Sequence, residues 1–194
     1  WRAPSPGLTV LIYHRVLPAA DPLRPGEVDA EQFERQMRML RRCFQPVALA
    51  DAVRMLRDGS LVGRPVCVTF DDGYADNLTV AQPILERLGI PATVFVATGY
   101  LDGGRMFNDA VIDGVAAMRA DTLDLRDMGM GALSLAGIDA RRQAVQVILD
   151  TVKRLPGAER DARVRDILRA GRVDHLPAPP MLTSDQVRDR KSTR

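Results

Sequence analysis

Two aspartates stand side by side at positions 71 and 72, inside the string P-V-C-V-T-F-D-D-G-Y that fills residues 65–74. Neighbouring carboxylates do not stay ionised together without a cation, a shared proton or full solvation. With a divalent cation they can divide the work of a hydrolysis, one binding the ion and the other taking the proton of an attacking water. The cation would also keep the base ionised. A second candidate, His14-Arg15, closes another apolar run. A lone histidine is most often a surface or satisfied core group. Its place at a second strand end gives His14 a functional reading as well.

These residues need strands that end where they begin. Val66, Cys67, Val68 and Phe70 read as a short buried strand, closed by a turn at Gly73. Residues 8–13 read as a first buried strand and residues 92–97 as a third. Between the last two, Val80, Ile84, Leu85 and Leu88 share one face of a helix, with Pro83 in its first turn and Gly89 as its stop. Strand, helix, strand at this spacing is a βαβ unit and predicts a parallel sheet or barrel. Carboxylates at the carboxyl ends of such strands lie where α/β folds place chemistry.

Elsewhere the signals are local. Asp29 and Gln32 form a variant capping box that opens a helix carrying Phe33, Met37 and Leu40. Residues 47–49 predict a short strand, and residues 51–57 a helix stopped by Gly59. Asn77 is expected to cap a helix and Asp76 to be a solvated loop residue. From Asn108 to Gly171 the pattern turns helical, with Asn108 and Asp109 as a cap, and predicts a helical insertion between core strands. Thr183 and Gln186 form a second capping box. Gly103-Gly104 is no phosphate loop, because neither nucleotide-binding glycine pattern is present.

The string T-F-D-D-G-Y, followed by Asp76-Asn77, resembles the first motif of polysaccharide deacetylases, the NodB-homology domain of carbohydrate esterase family 4. L-T-V-L-I-Y-H-R-V (residues 8–16) and G-I-P-A-T-V-F-V-A-T-G-Y-L (residues 89–101) extend the resemblance, which runs from about residue 8 to about residue 186. It implies an α/β fold, the N-terminal part of a distorted (β/α) barrel, and metal-dependent hydrolysis of N-acetyl groups on an N-acetylhexosamine polymer. Asp71 matches the family's general base, Asp72 its carboxylate metal ligand, and the backbone N–H of Tyr74 its oxyanion donor. The Tyr74 ring reads equally as packing under the loop. His14 and Arg15 match positions beside the substrate groove. The implied cofactor is a divalent metal: zinc, with nickel or cobalt as alternatives. Y-H-R with F-N-D at residues 107–109 is similar to deacetylases of bacterial exopolysaccharide pathways.

One departure stands beside the match. The family's other two metal ligands come from a His-x-x-x-His motif, and His14 and His175 are the chain's two histidines. A catalytic zinc site takes three protein ligands and an open position. The chain is therefore expected to be a C-terminally truncated piece, inactive alone and not retaining its metal. The expected organisation is a lead-in over residues 1–7, a partial domain over residues 8–190 and a foreign or misread tail over residues 191–194. An incomplete barrel leaves an open sheet edge and predicts poor solubility. The alternative is a non-catalytic carbohydrate-binding or assembly protein on the same scaffold. A haloacid-dehalogenase-like phosphatase wants D-x-D rather than D-D-G. Glycosidase carboxylates belong on separate elements.

The resemblance implies an acetylated amino-sugar polysaccharide as partner, and composition argues against others. A balance of 27 basic against 25 acidic residues does not suggest a nucleic-acid surface, and 5% aromatic content is too little for base stacking. No apolar stretch reaches membrane-spanning length. Cys43 and Cys67 are expected to be buried free thiols. Nothing ahead of Leu8 reads as a signal peptide, but the sequence opens on Trp1, which leaves bacterial cytoplasm and cell envelope both open.

Overall fold

The first apolar run forms β1 (Thr9–Tyr13), and a bend at His14-Arg15 leads into β2 (Val16–Leu17). These elements come from a computed structural model that describes residues 7–189. The expected tail over residues 191–194, and all of the expected lead-in except Gly7, lie outside the described residues. β2 pairs in parallel with β3 (Val28–Asp29), which runs into α1 (Ala30–Cys43). Asp29 caps α1 by accepting the Gln32 N–H at 2.8 Å. Gln32 reaches back to the Asp29 carboxylate at 3.4 Å. Phe33, Met37 and Leu40 are buried, as the helical spacing predicts. Cys43 is exposed, against expectation, because it lies in the last turn beyond that stripe; Cys67 is buried.

The short strand expected over residues 47–49 lies two residues earlier, as β4 (Gln45–Pro46), with Val47 N donating to Val66 O at its end. α2 (Leu49–Arg57) follows. β5 (Pro65–Phe70) is buried at every position and pairs in parallel with β1 on one side. On its other side it pairs with β4 and with β6 (Ala92–Val94), in succession along its length. β6 is three residues shorter than its expected range. Between β5 and β6 come a π-helical turn (Asn77–Ala81) and α3 (Gln82–Leu88), which ends on Gly89 in the left-handed conformation.

The core of this first unit lies between the sheet and its helices. Phe70 packs against Tyr13 and Phe33, with ring centroids 5.7 Å and 5.9 Å away. Val66, Val68, Met37, Ile84 and Leu85 complete the same cluster. β1 is less buried than expected: Ile12 is 63% exposed, and β1 pairs with β5 alone among the described residues. The sheet is open, and the described residues close no barrel.

Residues 104–179, with Pro22–Arg24, form a second compact unit. It contains α4 (Phe107–Ala117), β7 (Thr122–Leu125), β8 (Gly131–Ser134), α5 (Ile138–Val152) and α6 (Gly157–Ala170). The expected helical segment thus includes an antiparallel hairpin, β7–β8. Leu123 and Leu125 alternate with exposed Thr122 and Asp124, a two-residue period that a helix cannot satisfy. Asn108 and Asp109 lie inside the first turn of α4 rather than capping it, and Asp109 is buried. Val145, Ile148, Val152, Val164 and Ile167 fill the core of this unit. The chain then returns to the first unit and ends its described part in α7 (Ser184–Asp189). Thr183 and Gln186 make both bonds of the expected capping box there. Among the described residues no helix is long and apolar enough to cross a membrane.

Candidate active site

The carboxyl ends of β1 and β5 lie side by side, because the parallel register pairs Tyr13 with Phe70. The next residue of each strand therefore opens the same place, with His14 and Arg15 on one side and Asp71 and Asp72 on the other. Asp71 N donates to Tyr13 O at 2.9 Å, the last main-chain bond between the two strands. His14 Nδ1 then meets Asp72 Oδ2 at 3.0 Å. An ionised carboxylate only accepts, so in that state Nδ1 carries the hydrogen, and in the neutral imidazole Nε2 is then the acceptor. The pair is open to water, with the His14 side chain 54% exposed and that of Asp72 29%.

The backbone turns sharply at this point. Asp72 takes φ 73° and Gly73 φ 81°, two left-handed residues in succession. A non-glycine residue held there costs about 1–2 kcal/mol, and such strain gathers at functional sites. Space is tight at Gly73 as well, since a Cβ would stand 3.0 Å from Val96 Cγ1, which would have to give by a few tenths of an ångström.

Beyond the turn, residues 73–75 run antiparallel to residues 180–182. Leu182 N donates to Gly73 O at 2.9 Å and Ala75 N to Pro180 O at 2.8 Å, which bridges Tyr74 to Met181. In antiparallel pairing alternate residues turn their peptide groups away from the partner. The Tyr74 peptide groups thus point away from residues 180–182, and its carbonyl accepts Asn77 N at 3.0 Å. The Tyr74 ring is buried beneath the Arg15 guanidinium, 4.7 Å from it.

Asp76 departs from its expected role as a solvated loop residue. It is 7% exposed, and its carboxylate accepts Arg15 Nε at 2.8 Å and Val16 N at 3.2 Å. Asn77 makes no side-chain cap; it is buried, and its Nδ2 donates to His14 O at 3.0 Å. Both residues stand inside the D-D-G-Y-A-D-N string, but their partners lie about 60 residues earlier in the chain. Glu27 is a further residue that motif reading missed. Pairing of Val16 with Val28 sets it beside Arg15, a signal visible only once β2 and β3 are known to pair.

Burial pushes the Glu27 carboxyl above its ordinary range; Arg15 and His14 pull against that shift, and Asp76 adds to it. A carboxyl raised in this way takes up a proton on folding, so its contribution to stability is complete at low pH and lost as pH rises through its folded value. Glu27→Gln removes that loss while its amide oxygen still accepts a hydrogen bond. The stability of the variant relative to the unsubstituted chain is expected to increase with pH from the ordinary glutamate range upward. Urea unfolding at acid and neutral pH checks this, and a difference independent of pH would refute it.

A divalent metal does not find a complete site here. Asp72 and His14 are two donor groups at one point, already bonded to each other, and no group of three His, Cys, Asp or Glu side chains occurs among the described residues. His175 is exposed and belongs to the other unit.

A sequence model of the family described as polysaccharide deacetylase matches residues 58–170. YxkH of Bacillus subtilis (strain 168), described as a polysaccharide deacetylase, is 35% identical over 91 residues, which are 46% of this chain and 31% of that protein. The chain thus spans about a third of the length of that relative. Among solved structures, IcaB from Ammonifex degensii is 33% identical with a TM-score of 0.46, over 52% of this chain and 42% of that one. The Streptococcus pyogenes deacetylase PplD in complex with acetate is 26% identical with a TM-score of 0.43, over 47% of this chain and 43% of that one.

Proposed function

Since this chain belongs to the polysaccharide deacetylase family, we propose that it carries the aspartate part of a site that hydrolyses N-acetyl groups on an amino-sugar polysaccharide. The observation that carries this reading is the meeting of the β1 and β5 ends, where Asp71 and Asp72 lie beside His14. Asp71 takes the proton of a water that attacks the acetyl carbonyl. The Tyr74 N–H donates to the oxyanion, the nitrogen takes up the proton that Asp71 removed from the water as the C–N bond breaks, and acetate leaves a free amine on the sugar. His14 and Arg15 line the groove that receives the polymer. The open parallel sheet is read as an arc of a distorted (β/α) barrel.

A divalent metal, zinc or else nickel or cobalt, would polarise the carbonyl and lower the pKa of the water. Asp72 is the residue of this chain that would hold it. The described residues supply no third donor, so no step is assigned to the metal. That shortage favours a second reading, in which the scaffold binds the polymer without cleaving it.

The test measures acetate and free amine released from a partly N-acetylated hexosamine polymer. This chain and the whole reading frame that encodes it are compared, each with added zinc, nickel or cobalt. The whole frame is expected to release the two products in equal amounts and the chain alone neither. Polymer binding without release by both would replace hydrolysis with the binding reading.

A further inference from the structure

Resting on the reading that Asp71 and Asp72 are the reacting pair, we infer that Asp76 and Asn77 are positioning residues that hold the His14 imidazole on Asp72. The sheet itself does not do this. The β1 ladder ends at the Tyr13–Phe70 pair, and His14 and Arg15 belong to the bend before β2. An imidazole on such a bend, more than half exposed, stays within reach of Asp72 only while the main chain that carries it is held in place.

One dipeptide grips both residues of that bend and the first residue of β2. Asn77 Nδ2 donates to His14 O at 3.0 Å. Asp76 Oδ2 accepts Arg15 Nε at 2.8 Å, and Asp76 Oδ1 accepts Val16 N at 3.2 Å. The two grips are tied together, because Asn77 Nδ2 also donates to Asp76 Oδ1 at 3.3 Å. Both side chains are buried, so these bonds form away from competing water, where a lost partner is costly. Arg15 is held on a second side by its stacking on Tyr74, which fixes the bend against the loop that carries Asp72.

The dipeptide is anchored in turn. Asn77 opens the π-helical turn, and its carbonyl accepts the N–H of Gln82 five residues on. Such turns are rare and recur at functional sites. Here the turn begins on the residue that bonds His14.

Imidazole nitrogen spectra of the whole chain at one fixed pH test this, because the chain has only two histidines and exposed His175 serves as an internal reference. The His14 Nδ1–H is expected to give a hydrogen-bonded signal that Asp72→Ala removes. Asn77→Ala is expected to remove the same signal while His175 stays unmoved and the helical circular dichroism is retained. Asp76→Asn keeps the shape and an acceptor for Val16 N but loses the charge facing Arg15. It is expected to weaken the signal partially, and it decides the matter should Asn77→Ala fail to fold. A folded Asn77→Ala or Asp76→Asn protein that melts earlier but keeps the unaltered His14 signal would overturn the inference, leaving only a stabilising role. Failure to release acetate would leave these spectra unchanged, so the two readings fail separately.

Discussion

Replacing Asp113 with alanine is expected to destabilise the second unit by about 3–5 kcal/mol, the cost of stranding a buried charge. One carboxylate serves two arginines there: Oδ1 accepts Arg24 Nη2 at 2.5 Å, and Oδ2 accepts Arg105 Nη1. Both guanidinium groups are nearly buried, and Asp109, 3.6 Å from Arg24, offsets part of one charge. Arg105 also donates to the carbonyls of Pro177 and Ala178, so its release would loosen the segment that ends the unit. Hydrogen exchange of α4, read beside urea unfolding, would show the loss locally. The exposed pair Asp51–Arg54 is the control, for which alanine substitution should cost no more than about 1 kcal/mol. A similar, small cost at Asp113 would mean that water reaches both arginines.

Asp71→Asn is expected to lower kcat for acetate release by about 10²–10⁴-fold, with KM little changed, in the polypeptide that performs the reaction. Asparagine keeps the shape at the end of β5 but cannot take a proton from water. A loss spread equally over KM would assign Asp71 to substrate binding instead. A loss smaller than about tenfold would remove it from the role of base.

What the sequence disclosed follows the range of the interactions. β5 is recognisable because burial at all six positions leaves an apolar run interrupted only by Thr69. The α1 cap, the Gly89 stop and the Thr183–Gln186 box are recognisable because each is completed within a few residues. The meeting of His14 with Asp72 was approachable, since two strands ending in polar pairs imply a common end once they lie parallel. The hairpin β7–β8 was missed because four residues of alternation are brief beside the helical stripes that follow. Asp76 departs from expectation for a different reason: an aspartate after a glycine turn looks solvated until Arg15, 61 residues away, is folded against it. Cys43 shows the converse, since it continues an amphipathic helix without continuing its buried stripe.

The antiparallel contact between residues 73–75 and residues 180–182 bears on the order in which the protein is made. The stretches it joins are about a hundred residues apart, and at roughly 5–20 residues per second the ribosome needs several seconds or more to cover that distance. All of residues 104–179, a unit with its own core, emerge in that interval. The nascent chain can therefore complete its second unit while the first still lacks the strand that fastens its loop. Tyr74 is then among the last residues of the first unit to be locked in place, and a ribosome stalled before Pro180 would display the acidic loop without its clasp.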